Sequence, residues 1–370
     1  MSSESNERGC RPKSASAALE RPVGGAIEAP PTVLAVIGRG CRGSRSAAFS
    51  PRRLVGSGAD AGGAAVMGTG IVSIGLALDQ QPMLSRILLA IAVVLWLGLF
   101  GLLARRALRQ RRFWLEEART PGVLAAVAGT AVLGDRLTLL GERWAGYLLL
   151  AFAFCLWLAL LPRVLRHWTT PTVGVSFMLT VAIESLAVLA ALLAIEGEVA
   201  WLAVSALLLL VLGLGAYAFV LTRLDLWQLR VGRGDHWIFG GALAIATLAC
   251  VRTTAALTAT ATLTDLRPAL DDASLALWAA AALWLPALLA AELIAPRIGY
   301  DTRRWSTVFP LGMYAVCSIA AGSISGIGGI SSFGRVWIWV AFAVWVLVFA
   351  ATLSRASGSR RQTRLANRNR

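Results

Sequence analysis

The chain has 370 residues, of which 57% are hydrophobic and only 15% are charged. A soluble domain is about half apolar and a quarter charged, so this composition excludes a soluble protein and indicates an integral membrane protein. The net charge of +15 could suggest nucleic-acid binding. However, the arginines gather in the tails and in alternate loops, which is the pattern that membrane topology produces. The sequence therefore predicts the lipid bilayer as a partner and no nucleic acid.

Residues 1–57 are rich in Ser, Gly, Pro and Arg and have no hydrophobic periodicity, which predicts a disordered N-terminal tail. No methionine lies between Met1 and Met67, so one hypothesis is that the assigned start of the gene lies too far upstream. We predict a transmembrane transport domain over residues 58–356. Residues 357–370 then form a basic cytoplasmic tail.

Ten hydrophobic segments follow the N-terminal tail, each close to the roughly 20 residues that cross a bilayer. Short connections between them predict five tandem helical hairpins in an all-α membrane fold. The predicted spans are 60–79, 84–104, 121–140, 144–162, 172–194, 198–221, 236–257, 273–295, 304–322 and 334–354.

The basic residues orient this topology, because arginine and lysine concentrate on the cytoplasmic side of membrane proteins. All but six of the 35 lie in the two tails or in the loops after the even-numbered spans. Both termini are therefore predicted to be cytoplasmic, in a multi-pass protein of the cell (plasma) membrane.

Two kinds of span alternate along the chain. Even-numbered spans such as "LLAIAVVLWLGLF" are almost purely apolar and hold eight of the fourteen tryptophans, which suits lipid contact. Odd-numbered spans such as "VMGTGIVSIG" carry Gly, Thr or Ser near their middle. Small and polar residues at membrane depth face protein or a water-filled cavity. The alternation predicts an inner ring of odd-numbered helices around a central pore, although each small residue by itself could equally be a packing contact.

Four charged residues within or at the ends of spans are candidates for a role in the site. Glu184 lies near mid-span, where a carboxylate is either functional or a protonated packing group. Arg252 lies toward the end of the seventh span and could attract anions or extend to the headgroups. Asp135 and Arg136 mark the end of the third span and could pair with each other.

Signatures of enzymes and metal sites are absent from the sequence. The chain contains no HExxH, DDxxD, GxSxG or Walker motif, and none of its five cysteines forms a CxxC pair. We expect no metal, no cofactor and no enzymatic activity.

Five motifs in order resemble the tellurite-resistance/dicarboxylate transporter family. They are "AAVMGTGIVSIG", "GTAVLGD", "GVSFMLTVAIESLAVLAA", "GDHWIFGGALAIATLA" and "RRWSTVFPLGMYAV", one in each odd-numbered span. The family includes slow anion channels, tellurite-resistance proteins, malate permeases and sulfite efflux pumps. The resemblance implies five hairpins around a pore, often in a trimer, with an aromatic side chain as the plug.

The resemblance also implies the position of the gate. The "FP" motif places the pore gate at Phe309, followed by Pro310. The expected path-lining residues are Gly68, Thr69, Gly70, Gly129, Thr130, Phe177, Glu184, Arg252 and Pro310. The sequence departs from the family at Glu184, where Gln is common. An ionised acid there would repel anions, whereas a protonated one would allow proton coupling.

The first hypothesis for function is a channel or transporter for small anions. Its candidate substrates are C4-dicarboxylates, chloride or nitrate, and oxyanions of the tellurite or sulfite type. A proton-coupled carrier that uses Glu184 is the alternative. A membrane enzyme or a non-transporting stress-response scaffold is a further alternative, and the enzyme would require a buried catalytic cluster.

Overall fold

The computed structural model describes residues 58–224, 236–294 and 301–368, and almost all of them are helical. The helices are α1 (Gly58–Leu78), α2 (Pro82–Arg109), α3 (Arg111–Glu117), α4 (Ala125–Thr138), α5 (Arg143–Arg166), α6 (Met178–Gly197), α7 (Ala200–Leu221), α8 (His236–Ala259), α9 (Arg267–Ile294), α10 (Trp305–Ser325) and α11 (Gly328–Arg368). Within these described ranges the chain has no β-strand, only an isolated bridge between Thr172 and Leu224. The tail predicted over residues 1–57 lies outside the described residues.

Nine helical segments in the described part of the chain are long and apolar enough to cross a bilayer. The segment predicted as a span at 121–140 is not one of them. Its α-helix, α4, has only 14 residues and follows a single 3-10 turn over Pro121–Leu124. It also carries Asp135 and Arg136 in its last turn, which shortens the apolar stretch.

Burial separates the helices into two groups. The most apolar stretches of α1, α6, α8 and α10 are between 78% and 94% buried. Those of α2, α5, α7, α9 and α11 are between 22% and 28% buried. Almost every residue of α4 is also buried, so α4 belongs with the first group. We call α1, α4, α6, α8 and α10 the core helices, and α2, α5, α7, α9 and α11 the peripheral helices.

The helix contacts follow a regular order. Each core helix contacts the next one along the chain, and α10 contacts α1. Each peripheral helix packs against the core helix before it and against the following one, with α11 contacting both α10 and α1. The apolar peripheral helices therefore cover the outward faces of the core helices.

Glycines lie where core helices approach each other most closely. A Cβ on Gly63 would lie 2.7 Å from the backbone carbon of Ala125, at the contact between α1 and α4. A Cβ on Gly312 of α10 would lie 2.6 Å from a methyl carbon of Ile71 on α1. Both distances are too short for a real carbon, so a side chain at either position would require its neighbour to shift.

Tryptophans on three peripheral helices donate hydrogen bonds to hydroxyl groups on core helices. The first joins Trp96 of α2 to Thr130 of α4 over 3.0 Å. The other two, at 2.9 Å, join Trp278 of α9 to Ser318 of α10 and Trp345 of α11 to Thr69 of α1. These indole nitrogens face protein, which corrects the expectation of lipid contact for them. Others, including Trp201 and Trp339, remain exposed.

Replacing Gly63 with alanine should destabilise the protein by about 1–3 kcal/mol, because the new methyl group meets the backbone of Ala125 and not a mobile side chain. The measurement is thermal unfolding of the purified protein in detergent. Gly98→Ala is the matched control, because a Cβ on Gly98 has nothing within 4 Å. Equal melting temperatures for the two variants would contradict the close approach of α1 and α4.

Candidate functional site

Two cavities lie among the core helices, and each is lined by residues of all five. The first lies near the N-terminal ends of the core helices and encloses about 330 Å³ of empty space, including its open part. We call it the N-cavity. Its lining residues are Asp60, Ala64, Met67, Gly122, Ala125, Val175, Met178, Ile238, Ser306 and Phe309.

The second cavity lies farther along the same helices and encloses about 380 Å³ of empty space, again including its open part. We call it the C-cavity. Its lining residues are Ile71, Ile74, Val132, Asp135, Leu139, Val188, Leu192, Ile245, Leu248, Arg252, Met313 and Val316. Apart from Asp135 and Arg252, every lining residue is apolar.

The two cavities lie on the same face of each core helix. On α1 the lining positions are 60, 64 and 67 in the N-cavity, then 71 and 74 in the C-cavity. On α10 they are 306 and 309, then 313 and 316. Steps of three and four residues keep side chains on one side of a helix. The two cavities therefore lie one after the other on a single line along the core.

Phe309 lies in the wall of the N-cavity, and only 1% of its surface is exposed. The next residue, Pro310, is inside α10 and cannot donate a backbone hydrogen bond, so the carbonyl of Ser306 loses its helical partner. A Cβ on Gly241 of α8 would lie 2.8 Å from the Pro310 ring, so the proline packs directly on that glycine. Phe309 is thus held at a local break in helix hydrogen bonding.

Arg252 and Asp135 are the charged residues of the C-cavity wall, contributed by α8 and α4. Asp135 is 5% exposed, and its Oδ1 atom has no hydrogen-bond partner among the described residues. Arg252 is partly buried. The two side chains share one cavity without forming an ion pair within 4.0 Å.

Asp135 and Arg136 do not pair with each other as the sequence had suggested. Neighbouring side chains on a helix point about 100° apart. Asp135 faces the C-cavity, whereas Arg136 is buried and donates from Nε and Nη2 to the Ser85 hydroxyl over 3.0 and 2.8 Å. Ser73 adds a further acceptor for the Arg136 Nε at 3.2 Å.

Several predicted path residues lie at helix contacts and outside both cavity walls. Thr69 and Thr130 accept the tryptophan hydrogen bonds described above. Gly70 faces Val132, and Gly129 faces Val66, in contacts between α1 and α4. Phe309 and Arg252 are the predicted site residues that do line a cavity.

Two further predicted residues also lie beside the cavities. Gly68 packs near Val308 and the backbone nitrogen of Phe309. Phe177 belongs to an aromatic cluster, with its ring centroid 5.2 Å from that of Tyr217 and 5.4 Å from that of Phe239.

Glu184 faces a peripheral helix. A Cβ on Gly213 of α7 would lie 2.2 Å from the Glu184 Oε1 atom, so the carboxyl group occupies the space that this glycine leaves. Glu184 is fully buried, and neither carboxyl oxygen finds a hydrogen-bond partner in the described part of the chain. It contributes to the wall of neither cavity.

Asp135 is the residue of this site that the sequence did not assign. The sequence did contain a signal for Asp135, because an acidic side chain at the end of a helix of small and apolar residues requires a polar environment. Its proximity to Arg252 depends on the contacts that bring α4, α6 and α8 together. Among the described residues, no group of three His, Cys, Asp or Glu side chains could hold a metal ion.

These features define a multi-pass α-helical membrane protein with cavities on one line through its core. Residues 63–353 match the SLAC1 family, described as voltage-dependent anion channel, and the chain therefore belongs to this family. Membership confirms the resemblance drawn from the five motifs and identifies an anion channel or transporter, a class that is not enzymatic.

The chain is also similar to an uncharacterized membrane protein of Mycobacterium tuberculosis, found in two strains. The two sequences are 32% identical over 143 residues, which is 37% of this chain and 72% of the relative in each strain.

The contact between Glu184 and Gly213 can be tested by a double-mutant cycle. Gly213→Ala should lower the free energy of unfolding by about 1–3 kcal/mol, because its methyl group collides with the buried carboxyl group. Adding Glu184→Ala should recover part of that loss, because the two residues share one space. Thermal unfolding measures both effects.

Gly215→Ala on the same helix is the control, since a Cβ there meets nothing within 4 Å. Strictly additive effects of Gly213→Ala and Glu184→Ala would show that the two residues do not touch.

Proposed function

We propose that the protein passes small anions along the line that joins the two cavities, with Phe309 as the gate. The observation that carries this proposal is that all five core helices contribute to both cavities on continuous faces. In this arrangement the ten predicted helices form five hairpins, with α4 as the short member of the inner ring.

Helix direction supports anions over cations. The N-cavity is lined by the first turns of α4, α6, α8 and α10 and by the first half of α1. The N-terminus of a helix carries a partial positive charge of about half an elementary charge. Four such ends around one cavity contribute a potential that attracts anions, against the carboxyl group that Asp60 of α1 adds to the same wall.

The position of Phe309 supports its role as a gate. Its ring lies in the wall of the N-cavity, next to a proline that weakens the local helix hydrogen bonding. Rotation of one side chain at this point would change the width of the path. The largely apolar walls also favour brief, weakly bound occupancy, which permits rapid exit of the anion.

A carrier coupled to protons through Glu184 has less support. The Glu184 carboxyl group packs against Gly213 and contributes to neither cavity wall. Proton movement through Glu184 would therefore require a path between α6 and α7, separate from the anion path.

The remaining details of the proposal follow the family and the distribution of charge. They are the candidate substrates, namely C4-dicarboxylates, chloride or nitrate, and oxyanions of the tellurite or sulfite type, together with a trimeric assembly in the plasma membrane. The excess of basic residues in the tails supports a cytoplasmic position for both termini, and in that orientation the N-cavity faces the cytoplasm.

Phe309→Ala should raise anion flux at least about tenfold in proteoliposomes, because it removes the ring that narrows the N-cavity. The assay compares chloride, nitrate and malate in wild type and variant, each reconstituted at the same protein-to-lipid ratio. Phe239→Ala is the matched control, since Phe239 is equally buried but lines neither cavity.

Flux that stays unchanged in Phe309→Ala, with folded protein, would reject Phe309 as the gate. An absence of flux for every anion in both proteins would reject the anion path itself.

A further inference from the structure

The C-cavity contains one basic and one acidic side chain that do not pair directly with each other. Arg252 and Asp135 both line it, yet they form neither an ion pair nor a hydrogen bond with each other. The remaining wall is apolar. A buried charge in such surroundings is stable only when it is paired or hydrogen-bonded.

The unsatisfied atoms define what a ligand would have to offer. A guanidinium group only donates hydrogen bonds, and an ionised carboxylate only accepts them. Asp135 Oδ1 is buried without a donor in the part of the chain that is described. A species lying between the two side chains must therefore accept from Arg252 and donate to Asp135.

Simple anions meet only half of this requirement. A halide or nitrate can accept from Arg252, but it brings a second negative charge beside Asp135 and leaves Oδ1 without a donor. An oxyanion that retains one O–H group satisfies both side chains, because its oxygens accept from Arg252 and its O–H donates to Asp135.

We propose that the C-cavity binds monovalent oxyanions that carry an O–H group, with Arg252 holding the charged oxygens and Asp135 accepting the hydrogen bond from the O–H. This inference rests on the proposed anion path and identifies the class of anion that the path selects. Hydrogen carbonate and singly protonated dicarboxylates belong to this class, whereas chloride and nitrate do not.

Nitrate and hydrogen carbonate are matched probes for this site. Both are planar, have four heavy atoms and carry one negative charge, but only hydrogen carbonate has an O–H group. The experiment is calorimetric titration of the purified full-length protein with each sodium salt. Methanesulfonate, which has no O–H group, is the background anion, and the pH is one at which carbonate holds one proton.

Wild type should bind hydrogen carbonate at least about tenfold more tightly than nitrate, since a hydrogen bond to an ionised group is about twice as strong as a neutral one. Asp135→Asn should bring this affinity ratio close to one, because the amide removes the repulsion of nitrate and weakens acceptance from the O–H. Arg252→Gln should weaken binding of both anions by similar factors.

Asp265→Asn is the control, because Asp265 is an exposed carboxylate that lines neither cavity. It should leave the affinity ratio unchanged.

Equal affinities in wild type, or no binding of either anion, would overturn the inference without any variant. A ratio that persists in Asp135→Asn would assign the preference to another part of the path and would also overturn it. If Asp135 is protonated and donates a hydrogen bond, wild type binds nitrate and hydrogen carbonate with equal affinity, which is the first of these outcomes. Flux through Phe309→Ala is measured separately, so the anion path can stand when this selectivity fails.

Discussion

A narrow path can run between five helices only if the helices approach each other closely. In addition, no water is available in a bilayer to form hydrogen bonds with polar groups on the outward faces of these helices. Glycine resolves the first part of this constraint at the contacts of α1 with α4 and α10, where Gly63 and Gly312 leave no room for a side chain. The peripheral helices resolve the second part. They cover the outward faces of the core helices and supply indole donors to hydroxyl groups that would otherwise face lipid.

The same constraint explains why so much of the architecture could be predicted. The alternation of apolar and small-residue spans follows directly from which helices face lipid, and burial divides the helices in the same way. Span length was a weaker guide for α4, because a helix enclosed by others can be shorter than the bilayer and end in charged residues. The family followed from motifs that recur in order along the core helices, and the match over residues 63–353 confirms it.

The orientation of individual side chains could not be predicted from the same patterns. Glycine and threonine in a core helix suit a path wall and a helix contact equally, and Thr69 and Thr130 are directed toward tryptophans on peripheral helices. Glu184 is a similar case, since its carboxyl group fills the space beside Gly213. The placement of Asp135 and Arg252 in one cavity depends on how α4 and α8 pack around α6, which no local pattern encodes.

The tryptophan hydrogen bonds have a mechanical consequence. Each one ties a peripheral helix to the core helix of the neighbouring hairpin, from α2 to α4, from α9 to α10 and from α11 to α1. A core helix that tilted alone would break a bond that lipid cannot replace. The hairpins linked in this way are therefore coupled, so that a widening of the core spreads from one to the next. These tryptophan side chains lie at the contacts between hairpins, so such a movement would change their fluorescence.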